Sequence, residues 1–349
     1  MVNGNGTRSV PLDPCGGLSE SARIGFSLRH WKEILSQKPQ ILITTASLYP
    51  PTMAALDAAF TTHRLWQAAD RAAFLAGIAD RVEGIATGLG GTVDAALIAA
   101  LPRLRIIATS TVGLDAIDLD AARSRGIAVT NTPDVLTDCV ADFALGLTIA
   151  SARRICEADR FVRAGKWLAG GFPLATKLGG KTMGIVGMGR IGQTIATRAS
   201  AFGMQIAWHG PRPKPELPYP YYKTLTELAS MSHFLMVTAP GGAETRHLID
   251  AEILEALGKK GTLINIARGS VVDEQALVDA LRAGTIAGAA LDVFADEPCV
   301  PEALFAMENV VLQPHLGSAT EETRAAMGQL VVDNLSAFFA GEPQLTPVR

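Results

Sequence analysis

The run Met183-Gly184-Ile185-Val186-Gly187-Met188-Gly189-Arg190-Ile191-Gly192 constrains this chain more than any other stretch. It is a short apolar strand that ends in G-x-G-x-x-G and opens a helical segment through Ala196, Ala199 and Phe202. In that context each glycine has a task. Gly187 makes the tight turn, Gly189 lets the backbone approach a pyrophosphate, and Gly192 lets helix and strand pack closely. The free N–H groups of the helix start then face the anion. The expected ligand is a dinucleotide.

The surrounding sequence reads as repeated strand–helix units, which implies parallel strands joined by right-handed crossovers. Ile41–Ile43, Arg64–Trp66, Gly84–Ala86, Leu104–Ile107 and Ile127–Val129 are expected strands. One long helix is expected from Val135 to Ala164. A second series follows at Thr182–Val186, Gln205–Trp208, Phe234–Val237, Leu263–Ile266, Ala289–Leu291 and Val310–Leu312. Helices centred on Ile195, Leu228, Leu254 and Leu277 fall between them, and a last helix runs from Glu321 to Phe339. The fold class is α/β with two domains. A Rossmann-type doubly wound parallel sheet (134–315) is inserted into a smaller flavodoxin-like α/β substrate domain (39–133 and 316–349). Residues 1–38, rich in Gly, Asn and Pro, read as a loosely packed extension with a short helix at Phe26–Leu35.

Composition narrows the partners. A formal charge of −3 and a pI near 6.1 do not suit a nucleic-acid binder. No apolar stretch has transmembrane length, and the N-terminus lacks a signal-peptide pattern. Cys15, Cys139, Cys156 and Cys299 are scattered, with no paired ligand spacing, so no metal site is expected and the thiols fit a reducing, cytoplasmic setting.

Ligands of such folds sit beyond the carboxyl ends of the strands, and three residues there can do chemistry. Arg268 follows Asn265-Ile266-Ala267, Glu297 follows Leu291-Asp292-Val293-Phe294, and His315 follows Leu312-Gln313-Pro314. Arginine holds a carboxylate as a fork. Histidine transfers a proton near neutral pH, and a carboxylate on its other nitrogen favours the imidazolium. Taken singly, each has an ordinary reading as a surface cation, a surface carboxylate or a core histidine. Their joint position beside a nucleotide turn favours catalysis.

The chain resembles the D-isomer-specific 2-hydroxyacid dehydrogenase family. The likeness rests on Gly187–Gly192, Ile266-Ala267-Arg268-Gly269-Ser270-Val271-Val272-Asp273-Glu274, Leu291–Pro298 and Pro314-His315-Leu316-Gly317-Ser318-Ala319-Thr320. Within it the chain is most similar to glyoxylate/hydroxypyruvate and hydroxyphenylpyruvate reductases, through stretches such as Asn131–Asp138, Tyr219–Tyr222 and Pro301–Phe305. The resemblance implies NAD(P)H-dependent reduction of a 2-oxo acid of the glyoxylate or hydroxypyruvate type to a D-2-hydroxy acid. Arg268 would hold the acid, His315 would donate the proton and Glu297 would partner it. Leu89 and Gly90, in Gly88-Leu89-Gly90-Gly91, would bind the carboxylate through backbone N–H groups, and Asp292 would lie near the nicotinamide carboxamide. Further cofactor contacts are expected from Gly187, Gly189, Arg190, Ile191, Gly192, Ala239, Pro240, Ile266, Ala267 and His315. The resemblance also implies a two-fold homodimer through 135–172. A hydroxyphenylpyruvate reductase or another D-2-hydroxyacid dehydrogenase is the alternative, and a nucleotide-sensing, corepressor-like binding protein is the alternative of a different class.

The cofactor's phosphate state is legible in one place. Eighteen residues beyond Gly192 stands Gly210, where NAD enzymes carry a carboxylate for the ribose hydroxyls. Glycine leaves room for a 2′-phosphate, and Arg212, with His209 or Lys214, can neutralise it. NADP(H) is the expected preference, with NAD(H) the alternative.

Overall fold

A computed structural model describes residues 38–348; the expected loose packing of the first segment and its helix at Phe26–Leu35 lie outside the described residues. The first lobe alternates β1 (Gln40–Ile43), α1 (Pro50–Ala59), β2 (Thr61–Arg64), α2 (Arg71–Ile78), β3 (Val82–Thr87), α3 (Ala95–Ala100), β4 (Ile106–Thr109), α4 (Leu119–Ser124) and β5 (Ala128–Thr130). Asp70, Asp94 and Asp118 cap α2, α3 and α4 by accepting first-turn N–H groups, which those helix starts otherwise leave unpaired. The strands form one parallel sheet in the order β2-β1-β3-β4-β5, the flavodoxin-like arrangement.

The chain then crosses into the second lobe through α5 (Thr137–Ala152) and α6 (Ile155–Arg163). Next come β6 (Thr182–Val186), α7 (Arg190–Ala201), β7 (Gln205–His209), α8 (Leu225–Met231), β8 (Phe234–Val237) and α9 (Ala251–Leu257). The lobe ends with β9 (Thr262–Asn265), α10 (Glu274–Ala283), β10 (Gly288–Leu291) and β11 (Val310–Leu312). These strands form a parallel sheet ordered β11-β10-β9-β8-β6-β7. Its β8 and β9 are fully buried and apolar apart from Thr262 and Asn265, as a sheet covered on both faces requires. Finally α11 (Glu321–Ala340), capped by Thr320, returns to the first lobe. There Val331 and Leu335 join Ile41, Ile43 and Leu56 in one core. A Cβ on Gly328 would sit 1.7 Å from Thr52 Oγ1, so only glycine allows α11 to lie this close to α1.

Three local expectations are corrected. The helix drawn from Val135 to Ala164 is two helices. Arg154 adopts φ +53°, its N–H reaches back to Ser151 O, and its guanidinium holds Glu157 through two hydrogen bonds of 2.8 and 2.6 Å. The strand placed at Arg64–Trp66 ends at Arg64, because Leu65–Gln67 tightens into a 3₁₀ turn that buries Leu65. The strand placed at Leu104–Ile107 starts at Ile106, since the Leu104 N–H closes a turn on Leu101 O.

Candidate active site

Each sheet reverses its strand order once, at β6/β8 and at β1/β3, and the loops leaving both switch points border one cleft of about 270 Å³. A larger hollow of about 660 Å³ lies at the opposite, amino-terminal edge of the second sheet, beside Lys181, His233 and Lys260. Switch-point geometry and the titratable constellation both favour the smaller cleft as the site.

The glycine turn fits a pyrophosphate. Gly187 has φ +95°, and a Cβ there would lie 2.9 Å from the Ala239 backbone nitrogen. A Cβ on Gly192 would lie 2.4 Å from Gly187 O, whereas one on Gly189 would meet nothing within 4 Å. Two glycines therefore close the packing while the third leaves an open approach at the start of α7. Lys214 donates to Met188 O at 2.8 Å, which brings a cation to the same turn. Ile191, Ala239, Pro240, Ile266 and Ala267 line the cleft, while Arg190 is exposed, with Nε 2.9 Å from Asp134 Oδ1. At the end of β7, His209 Nδ1 meets Tyr222 O at 3.0 Å and its ring stacks on Tyr221. Gly210 packs on the Trp208 ring, and Arg212 is exposed.

Arg268, Glu297 and His315 converge although they follow three different strands. The Asn265 side chain accepts the Ala267 N–H and donates to Arg268 O, fixing the turn after β9. A Cβ on Gly269 would fall 1.9 Å from the Phe294 carbonyl carbon, so this turn lies directly against the segment that carries Glu297. Glu297 Oε1 accepts the Phe294 N–H at 3.1 Å and Oε2 lies 2.8 Å from His315 Nδ1. His315 has φ +56° and donates its own N–H to Asp292 O. The buried Asp292 carboxylate then accepts the N–H groups of Leu316 and Gly317 at 2.6 and 2.8 Å. Burial raises the Asp292 carboxyl, and those two N–H groups only partly offset it. Asp292 borders the cleft, and both its oxygens are engaged with the His315 loop.

The first lobe supplies the opposite wall. Thr45 and Ser47 donate to Leu89 O, and Thr87 donates to Gly91 O. Gly90 takes φ +75°. These ties leave the N–H groups of Leu89 and Gly90 without a partner among the described residues. Thr111, Gly113 and Asp115 also line the cleft. Leu48 is buried, with Met53 packed on the same core. Trp167 is exposed, and Phe172 packs on Phe161 and under Arg154.

Two further residues stand at the cleft. Asp115 Oδ2 accepts from Arg268 Nε at 2.5 Å across the lobes. Arg324, one turn into α11, borders the cleft half-buried, with no hydrogen-bond partner for its guanidinium among the described residues. Local sequence offered one signal, the position of Asp115 in the loop after a strand end.

A dinucleotide turn facing a carboxylate-backed histidine and an arginine fork defines a nicotinamide-dependent oxidoreductase acting on a small carboxylic acid. Comparison with known proteins agrees. Residues 145–317 match the family described as D-isomer specific 2-hydroxyacid dehydrogenase, NAD binding domain. The chain is 50% identical over 293 residues to the glyoxylate/hydroxypyruvate reductase A of Arabidopsis thaliana, covering 84% of this chain and 94% of that protein. It is 51% identical over 293 residues to the hydroxyphenylpyruvate reductase of Plectranthus scutellarioides, with the same coverage. The crystal structure of the NADPH-dependent glyoxylate/hydroxypyruvate reductase of Sinorhizobium meliloti, in complex with NADP and malonate, superposes with a TM-score of 0.85 at 46% identity. That match covers 89% of this chain and 97% of the other. The chain belongs to the D-isomer specific 2-hydroxyacid dehydrogenase family. It is an NAD(P)-dependent enzyme that reduces a 2-oxo acid to a D-2-hydroxy acid.

Proposed function

We propose that the substrate is a small 2-oxo acid of the glyoxylate/hydroxypyruvate type and that NADPH is the preferred reductant. The observation that carries the reading is the convergence of Arg268 and the Glu297–His315 pair on a wall with two unpartnered N–H groups. Leu89 and Gly90 bind the substrate carboxylate through those N–H groups, and Arg268 orients carboxylate and carbonyl together. The nicotinamide, when bound, supplies the hydride. His315 gives its proton to the alkoxide developing at C2, and Glu297 holds the ring by its Nδ1. The cofactor is held by the 187–192 turn and the rest of 134–315, and the acid lies between Arg268 and His315 of that lobe and the 88–91 loop of the other.

Ser318 and Arg324 give the lining beyond His315 a polar character, which favours a C3 hydroxyl over a phenyl ring. A panel of glyoxylate, hydroxypyruvate and hydroxyphenylpyruvate, followed by nicotinamide absorbance, tests this. Highest kcat/KM with hydroxyphenylpyruvate would overturn the substrate assignment. NADPH preference is supported by Gly210 and the exposed Arg212 near the end of β7, and the Sinorhizobium relative is NADPH-dependent.

Ile155, Val162, Trp167, Leu168 and Leu174 are exposed apolar side chains within 20 residues of chain, with Leu168 and Leu174 at 97% and 98%. This supports a two-fold homodimer through that face. A monomeric mass by light scattering at micromolar concentration would rule it out. Cys139, Cys156 and Cys299 are free thiols, which supports a reducing, cytoplasmic setting. Among the described residues no helix is long and apolar enough to cross a membrane.

A further inference from the structure

Arg268 does not reach the cleft as a free side chain. Its Nε–H is taken by Asp115 Oδ2 at 2.5 Å and one Nη1–H by Ala267 O at 2.7 Å. Of the five donors of a guanidinium, three remain: one on Nη1 and both on Nη2. The two anchors hold opposite sides of the group and so fix its plane. Glycines from both lobes wall the pair. A Cβ on Gly113 would lie 1.8 Å from Arg268 Nη2. One on Gly241 would lie 2.8 Å from Arg268 Cγ and 3.2 Å from Asp115 Oδ1. Asp115 belongs to the loop between β4 and α4, whereas Arg268 follows β9, so the contact spans the two lobes.

We propose that Asp115 is the positioning residue for Arg268, holding the Nε side so that the Nη1/Nη2 end stays aligned for the 2-oxo acid. The proposal rests on the reading of Arg268 as the substrate clamp. Asp115 touches no substrate atom in this account, and its charge repels the substrate carboxylate. Its contribution is therefore to alignment in the transition state and not to ground-state binding. That gives a signature a purely structural residue lacks. Losing Asp115 lowers kcat while KM for the oxo acid stays level or falls.

The experiment compares D115N, D115A and R268K with the wild type. The readouts are kcat and KM for glyoxylate and hydroxypyruvate, NADPH affinity by fluorescence titration, and Tm. The expected result is a kcat loss of about 10–100-fold in D115A. D115N, which keeps an acceptor of the same shape, loses less. NADPH affinity and Tm stay at wild-type values, and D115A added to R268K costs little more than R268K alone. A fall in KM with kcat unchanged or raised would make Asp115 a competitor of the substrate and overturn the proposal. So would unchanged constants, or losses of Tm and NADPH affinity that parallel kcat. If R268K itself keeps both constants, the clamp reading fails and this inference falls with it, whereas an impaired R268K beside intact Asp115 variants overturns the inference alone.

Discussion

His315 Nδ1 lies 2.8 Å from Glu297 Oε2, and the other Glu297 oxygen is held by the Phe294 N–H. The carboxylate is thus fixed to the backbone on one side and to the imidazole on the other. This leaves the histidine's Nε2 as the nitrogen free to serve the substrate.

The pair makes its pH behaviour testable. Burial pushes the Glu297 carboxyl up, but the hydrogen bond and charge of His315, the Phe294 N–H and the charge of Arg268 bring it below the ordinary range. A lowered folded-state value is stabilising above the unfolded pKa, about 4.3, and the contribution fades as pH falls through the lowered value. The Tm difference between wild type and E297Q is expected to be largest near neutral pH and to shrink in acid. Turnover by E297Q should fall. A Tm difference independent of pH, with turnover unchanged, would separate Glu297 from His315.

For the proton donor, the informative replacement is H315N. Residue 315 takes φ +56°, a conformation that asparagine adopts more readily than most side chains. The loop held by Asp292 therefore survives, and the protein should fold and bind NADPH. A kcat loss of about 10²–10⁴-fold is expected from removal of a general acid. Wild-type turnover at neutral pH would exclude His315.

R268K keeps the charge and removes the fork. KM for every 2-oxo acid should rise and kcat should fall, because lysine cannot align carboxylate and carbonyl together. Both constants within about twofold of wild type would place the clamp elsewhere.

Cofactor preference turns on the end of β7. G210D should shift kcat/KM toward NADH by repelling a 2′-phosphate and supplying a ribose acceptor. A Cβ at 210 comes 3.3 Å from Trp208 Cζ3, so the ring must yield slightly. G210A carries that steric cost without the charge and is the control. Equal kcat/KM with NADH and NADPH in the wild type, or an unchanged ratio in G210D, would defeat the assignment.

Much of this architecture was readable because its signals are local. The glycine spacing at 187–192 and the apolar runs of β6 and β8 mark themselves within a few residues. The break between α5 and α6 did not. Ser151-Ala152-Arg153-Arg154-Ile155 contains neither glycine nor proline, and the left-handed Arg154 is held by Glu157 and by the face of Phe172. Arg268, Glu297 and His315 stood out because each follows a strand in a recognisable motif. The pairing of Asp115 with Arg268 stayed hidden because it joins two lobes. Asp115 meets Arg268 from 153 positions away, and no periodicity encodes such a meeting.

The close seat of Gly269 against Phe294 has a consequence for motion. Arg268 and Glu297 lie on the same rigid body, with His315 tied to it through Asp292. The unpartnered N–H groups of Leu89 and Gly90, and Asp115, belong to the other lobe. Rotation of the lobes therefore changes one set of separations and preserves the other, like two jaws of which only one bears the teeth. A substitution that shifts the lobes without touching this set can therefore retune access to the cleft while leaving the spacing of Arg268, Glu297 and His315 intact.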